Sequence, residues 1–291
     1  MNICIWHKGC TDGFGSAWVV NRYFNNPIFK EEIEFHEGVY GEDPPDVTDK
    51  NVYIVDFSYS RSTIEKMLET ANTITIIDHH KTAIENLSDL KHPNLELVFD
   101  IEHSGAVLTW KHFFGEALVP QILLHIEDRD LWKFKLSKTR EITTALYSRD
   151  FDFKEWDQLV ASNISLLLMD GTLLLKHHNR RVASAVKNAR MEYILGHNVP
   201  VVNCSYDLAS DVGNELCVDH PFSVMYSDTK THRVFSLRSN SSGLDVADIA
   251  SKFVDEKGNK GGGHKHAAGF KLPLTSCAQV SFSFDKLYET K

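Results

Sequence analysis

The chain has 291 residues, 42% hydrophobic and 24% charged, with a formal net charge of -9. That length favours two domains over one, the charge offers no basic stripe for a long duplex, and no run approaches the roughly 18 apolar residues of a membrane span. The five cysteines (Cys4, Cys10, Cys204, Cys217, Cys277) are odd in number and lack CxxC spacing. They argue against a zinc ribbon or a disulfide framework and, with no signal-peptide pattern at the start, for reduced thiols in the cytoplasm. The negative excess lies in the first two thirds of the chain and favours a small or short anionic substrate.

The first strand pattern is Asn2–His7, NICIWH, which runs into Gly9-Cys10-Thr11-Asp12-Gly13. Gly13-Phe14-Gly15-Ser16 then opens a helix over 17–24, where small residues allow a ligand to approach the backbone or simply make a tight turn. Residues 25–50 are expected to be mostly loop. The pattern repeats with a strand over 51–56 ending on Asp56, a helix over 62–71, and a strand over 73–78 that stops at Asp78-His79-His80. Strands alternating with helices indicate βαβ units and a parallel sheet. The fold class is therefore α/β, with an N-terminal parallel-sheet domain over 1–155.

Further along, 95–99 reads as a strand, 105–114 as a helix, and 119–127 as a helix leading into Asp128-Arg129-Asp130-Leu131-Trp132. Trp132 and Phe134 follow at once, which turns Asp128 inward. Residues 156–196 have no proline and read as a helical connector, either one long helix or a helix pair broken at Gly171; His177 and His178 lie on it beside Lys176, Arg180 and Arg181, a solvated basic face. A smaller α/β domain over 197–291 carries strands at 199–203, 222–227 and 233–238, a helix at 246–253, and Gly261-Gly262-Gly263-His264.

Three strands that each deliver His or Asp at the carboxyl end imply one shared polar cluster, because open α/β sheets bind ligands there. It would hold His7, Asp12, Asp56, Asp78, His79, His80 and Asp128. A strand-end Asp alone is usually a cap or turn acceptor; the set together is not. Mixed carboxylate and imidazole donors suit Mn²⁺ and related divalent ions, and several Asp around a pair of ions fit two-metal hydrolysis. His80 adjoins the cluster and could protonate a leaving group. In the second region, consecutive glycines are costly unless the backbone bends or is closely approached. Their N–H groups would form an anion nest, with His264 on the phosphate, and Arg238 offers a planar fork for the same group.

The chain resembles the DHH family of phosphoesterases that carry a C-terminal DHH-associated domain, in the branch of the nanoRNases. Asp78-His79-His80 is the naming motif; VYIVDFS around Asp56, HIEDRDLW around Asp128, SLRS at 236–239 and GGGHKHAAGF at 261–270 follow in the family order. The resemblance implies an active site in an interdomain cleft, with one or two Mn²⁺ ions and Mg²⁺ or Co²⁺ as substitutes. It implies that Asp56 bridges two metals, that Asp12, His79 and Asp128 ligate one, and that His7 ligates the other. His80 would sit at the reacting phosphate with Asp78 orienting it or His79; Arg238, Ser239, Gly262, Gly263 and His264 would bind substrate. One departure stands out. The family's first motif has two aspartates one residue apart; here the place of the first is taken by Cys10 or is shortened out of the loop. Either Cys10 ligates as thiolate, or that position binds weakly, or one metal suffices.

The function expected from this pattern is hydrolysis of short oligonucleotides or linear dinucleotides to mononucleotides. Polyphosphate, pyrophosphate or cyclic-dinucleotide hydrolysis is the in-family alternative, and a catalytically decayed nucleotide-binding protein is the other. Phe222, Tyr226 and Phe235 are candidate base-stacking residues, with core packing as their ordinary role. No membrane partner is expected, and homodimer formation is left open.

Overall fold

The computed structural model describes residues 1–27, 31–162, 164–256, 258 and 260–275. Cys277 lies outside the described residues. The chain divides into two compact units, Met1–Leu175 and Lys176–Lys291.

In the first unit the order is β1 (Asn2–His7), α1 (Thr11–Phe24), β2 (Ile33–Gly38), β3 (Asn51–Val55), α2 (Arg61–Leu68), β4 (Thr73–Asp78), α3 (Lys81–Leu87) and β5 (Leu95–Phe99). Helices α4 (Gly105–Phe114), α5 (Gln121–Asp130), α6 (Thr139–Tyr147), α7 (Phe153–Ala161) and α8 (Ser165–Lys187) follow, α8 running on through the boundary. The sheet order is β2-β1-β3-β4-β5 with every pair parallel.

Side chains alternate between the two faces of a strand, and the inner strands are apolar on both. Ile3, Ile5, Val52, Ile54, Ile74 and Ile76 pack on one face with Ile64 and Leu68 of α2. Cys4, Trp6, Val55 and Ile77 pack on the other with α1, α4 and α5. Burial on both sides is why these runs read as continuous hydrophobic stretches.

Residues 25–50 are mostly loop among those described, with one element the sequence did not announce: 33–38 forms the edge strand β2 alongside β1. Its mixed, half-buried sequence IEFHEG lacks the apolar run of an interior strand. Within 156–196, α7 packs into the first unit. Trp156 of α7 is fully buried and sits edge-on to Phe14, with ring centroids 4.9 Å apart. Losing such a side chain costs about 3–5 kcal/mol, so α7 belongs to the first core. Gly171 does not break α8: a Cβ there would lie 1.9 Å from the Glu141 carbonyl oxygen, so glycine lets α8 lie against α6.

In the second unit β6 (Arg190–Ile194), β7 (His197–Asn203), α9 (Ala209–Leu216), β8 (Ser223–Asp228), β9 (His232–Arg238), α10 (Val246–Ala250), β10 (Gly262–His264) and β11 (Ala267–Pro273) form a mixed sheet, ordered β10-β11-β9-β8-β7-β6. Val199, Val201, Val224, Phe235 and Leu237 face α10, while Val202 and Met225 face α9 and Val182 of α8. Phe222 and Phe235 are buried in this core, and Arg233 lies 4.4 Å over the Tyr226 ring. Core packing is therefore the role of these rings. His178 is not on a merely solvated face, since it bonds Asp211 at 2.9 Å. Among the described residues no single helix is long and apolar enough to cross a membrane.

Candidate metal centre

The strand order places the site. From β1 the chain goes to β2 on one side and then to β3 on the other, so the order reverses between β1 and β3. The carboxyl ends at such a reversal diverge and leave a crevice. His7 ends β1, Asp56 directly follows β3, and Asp78-His79-His80 ends β4 beside it. Asp12 enters from the first turn of α1 and Asp130 from the last residue of α5.

His79 Nε2 is the hub. It lies 3.1 Å from Asp56 Oδ1, 3.5 Å from Asp130 Oδ2 and 3.6 Å from Asp12 Oδ2. The other Asp56 oxygen, Oδ2, lies 3.5 Å from His7 Nδ1. Asp12 is fixed by the start of α4, accepting from the Gly105 N–H at 2.7 Å and the Ala106 N–H at 3.0 Å. Gly105 has to be glycine, because a Cβ there would stand 2.5 Å from the Asp56 Cβ. Asp56 itself has φ +52° and donates its N–H to the Ile77 carbonyl at 2.9 Å. That left-handed backbone costs roughly 1–2 kcal/mol and is typical of functional positions.

The electrostatics follow from crowding. Burial drives the Asp12 carboxyl well above the usual range, and the charges of Asp56 and Asp130 add to it. Burial would raise Asp56 too, but His7 and His79 beside it hold it well below that range. Burial disfavours a charged His79, yet the Asp56 hydrogen bond and the fields of Asp130, Asp56 and Asp12 push it up to about 10. Buried charges need compensation, and a divalent cation supplies it. The residues present fit one. Ligand atoms of Asp12, His79 and Asp130 lie within 4.8 Å of one another, as do those of His7, Cys10 and Asp56. His7 Nδ1 is buried without a hydrogen-bond partner.

Asp78 lies against the His79–His80 turn. It is wholly buried, and its Oδ1 accepts from the His79 N–H at 2.8 Å, the His80 N–H at 3.2 Å and the His80 ring Nδ1 at 2.6 Å. It shapes the turn and orients His80, so it is a positioning residue. Asp128 requires a correction, because it is outside the cluster. Its carboxylate accepts from the Lys135 N–H at 2.7 Å, the Leu136 N–H at 3.0 Å and the Thr139 hydroxyl at 2.5 Å, which secures the loop after α5. Asp130 takes the place expected for Asp128. The missed signal was the spacing Ile122, Ile126, Asp130, four residues apart along one stripe of α5, whose first two members are buried while Asp130 ends the helix partly open at the site. Gly13 and Gly15 serve tight packing instead of ligand approach: a Cβ on Gly13 would lie 2.3 Å from the His7 carbonyl oxygen.

Sequence reasoning also passed over Tyr147, whose hydroxyl is pushed up by burial and by Cys10 and lies in the field of Arg129 and Asp130. An arginine–aromatic box flanks the loop between α5 and α6, with Arg129 of α5 4.6 Å over Trp132 and Arg140 of α6 3.9 Å over Phe134.

The substrate candidates lie in the second unit. His264 pairs with Ala267, and Ala267 with Arg238, so the three occupy one rung across β10, β11 and β9. Directly paired residues share a face, and alanine between them leaves the space open. Ser210 Oγ holds one Arg238 nitrogen at 2.8 Å. Ser239 Oγ bonds His266 Nδ1 at 3.0 Å. The glycines do not form a nest. The Gly261 N–H donates to the Phe253 carbonyl, and Gly262 and Gly263 pair as an edge strand against Gly269 and Ala268. Gly263 has φ +143°, open to glycine alone at little cost.

An open parallel sheet with a buried carboxylate–imidazole cluster at its reversal point defines an α/β protein whose site residues would fit a divalent ion. Residues 208–284 match the DHHA1 domain family. The chain is 32% identical over 292 residues to an uncharacterized protein of Acanthamoeba polyphaga mimivirus, covering 92% of this chain and 67% of that one. It is similar in fold to the DHH domain of a protein described as a member of a ribosomal-protein family, with TM-score 0.61 at 12% identity over 100% of this chain and 87% of that one. RecJ from Thermus thermophilus in complex with Mn²⁺ gives TM-score 0.50 at 13% identity, over 92% of this chain and 49% of that one. The chain belongs to one family with the mimivirus protein, carries a DHHA1 domain in its C-terminal part, and has the fold of the DHH proteins.

Proposed function

We propose that the protein is a metal-dependent phosphodiesterase that hydrolyses short oligonucleotides or linear dinucleotides to mononucleotides. The observation that carries this reading is the convergence of Asp12, Asp56 and Asp130 on His79 Nε2, at 3.1–3.6 Å, where the sheet order reverses. Asp12, Asp56, His79 and Asp130 would hold the ion. Mn²⁺ suits that donor mix, with Mg²⁺ or Co²⁺ as substitutes. When bound, the ion supplies a water acidified toward neutrality and offsets charge on the phosphoryl oxygens.

The remaining work falls to this chain's own groups. Asp78 accepts the Nδ1–H of His80 and so fixes its tautomer, leaving Nε2 to carry the proton for the leaving oxygen. Arg238 and His264, on one rung of the second sheet, bind the substrate phosphate. RecJ, named for its Mn²⁺ complex, supports the choice of ion.

The test is a Mn²⁺-supplemented panel of linear and cyclic dinucleotides, short RNA and DNA oligomers, pyrophosphate and polyphosphate. Mononucleotide release from dimers and short oligomers is expected. Turnover confined to pyrophosphate, polyphosphate or cyclic dinucleotides keeps the metal chemistry and overturns the substrate. Nucleotide binding without any turnover makes the protein a binding module.

Arg238 gives a second check. Removing a charge-assisted hydrogen bond costs about 1.5–3 kcal/mol, so Arg238→Ala should raise KM roughly ten- to hundredfold, with a smaller effect on kcat. Unchanged KM and kcat would remove Arg238 from the substrate contacts.

A further inference from the structure

We propose that the centre has two chemically unequal ion positions, and that the one formed by His7, Cys10 and Asp56 takes a thiophilic divalent ion such as Zn²⁺ or Co²⁺ in preference to Mn²⁺. The inference rests on the metal-centre reading above and adds the identity of the second ion.

The division is visible in Asp56. Its two carboxylate oxygens face different partners, Oδ1 toward His79 at 3.1 Å and Oδ2 toward His7 at 3.5 Å. On the Oδ1 side the other donors are Asp12, His79 and Asp130, all oxygen or nitrogen. On the Oδ2 side the donors are one imidazole, one carboxylate and one sulfur, with ligand atoms within 4.8 Å of one another. The His7 imidazole contributes a buried Nδ1 that no hydrogen bond satisfies. Its ring is held by stacking on Phe57 at 6.1 Å and by Tyr40 edge-on at 5.3 Å, so the nitrogen's direction is set by packing.

The geometry suits a small tetrahedral ion. Metal–ligand distances of about 2.0–2.3 Å place neighbouring tetrahedral ligand atoms about 3.5 Å apart. The His7–Asp56 separation is already 3.5 Å, and the Cys10 sulfur lies within 4.8 Å of both ligand atoms. Three protein ligands leave a fourth position for water or substrate, the arrangement of catalytic zinc sites and not of closed structural ones. Ligand softness then decides the ion. Thiolate favours Zn²⁺ and similar ions, whereas carboxylate and water suit Mn²⁺ and Mg²⁺. Cys4 and Cys204 are buried in apolar cores, Cys217 is buried with its Sγ on the Asn214 carbonyl, and none of them joins the His7 cluster.

The full chain, stripped of metal, is titrated with Co²⁺ while the near-ultraviolet thiolate-to-cobalt charge-transfer absorption is followed. Bound Mn²⁺ per chain is counted in parallel. The wild type should show the band, Cys10→Ser should lose it, and Cys277→Ser should keep it. Cys10→Asp should also lose the band and should raise Mn²⁺ occupancy from about one to about two ions per chain, because it supplies a hard donor. A band unchanged in Cys10→Ser overturns the inference, as does a wild type that already holds two Mn²⁺. Neither readout involves substrate. Loss of the inference with Mn²⁺ still bound therefore leaves the proposed phosphodiesterase standing. A band without turnover on any substrate leaves this inference standing and removes that function.

Discussion

Asp56→Asn should lower Mn²⁺-dependent kcat about a thousandfold or more, since metal-assisted charge stabilisation is worth several kcal/mol and each 1.36 kcal/mol is tenfold. No other residue of the cluster divides its oxygens between His79 and His7. Asn keeps the volume and the φ +52° backbone, which Asn tolerates better than Ala does. It also keeps the N–H that bonds the Ile77 carbonyl. The fold should therefore survive, with far-ultraviolet circular dichroism unchanged. What is lost is the full negative charge and one acceptor oxygen. Turnover within about tenfold of wild type, a change of only 1.4 kcal/mol, would sink the assignment of Asp56 as a central ligand. His79→Ala supplies an independent check, because it removes the nitrogen on which three carboxylates converge.

The first unit was legible because parallel strands buried on both faces print themselves as apolar runs. Ile3–Trp6, Val52–Val55 and Ile74–Ile77 each show it, and each is followed by the His or Asp that the sheet edge presents. Strand β2 was not legible. An edge strand needs only one neighbour and tolerates charge, so Glu34 and Glu37 hide it. The boundary between units was blurred for a related reason. A long apolar helix looks the same whether it connects or packs, and only the burial of Trp156 and the closeness of Gly171 to Glu141 decide it. In the second unit, β8 and β9 stood out through Val224, Met225, Phe235 and Leu237. Strands β10 and β11 were obscured by glycines and alanines whose reason is backbone approach, which depends on neighbours far along the chain. The site itself was legible down to residue type. The exact aspartate of the DRD segment was not, because choosing between two aspartates on one helix turn requires knowing which side of the helix faces the sheet.

That choice yields the sharpest contrast between two similar substitutions. Residues two apart on a helix point about 200° away from each other, so Asp128 and Asp130 cannot share a task. Asp130 ends α5 with Oδ2 3.5 Å from His79 Nε2 and its side chain partly open to solvent. Asp130→Asn should leave thermal stability nearly unchanged and lower kcat by roughly a hundredfold or more, as loss of a group that holds the ion implies. Asp128 is 5% exposed and satisfies two backbone N–H groups and the Thr139 hydroxyl. Asp128→Ala strands those donors, each left unsatisfied at about 1–3 kcal/mol, so thermal unfolding should move down by several degrees. The loop it secures carries Trp132 and Phe134, both at positive φ, which persist only where surrounding structure determines them. Turnover per folded molecule, measured well below the unfolding transition, should fall far less in Asp128→Ala than in Asp130→Asn. The reverse pattern, an inactive but stable Asp128→Ala beside an active Asp130→Asn, would return the ligand role to Asp128 and require a different rotation of α5 against the sheet.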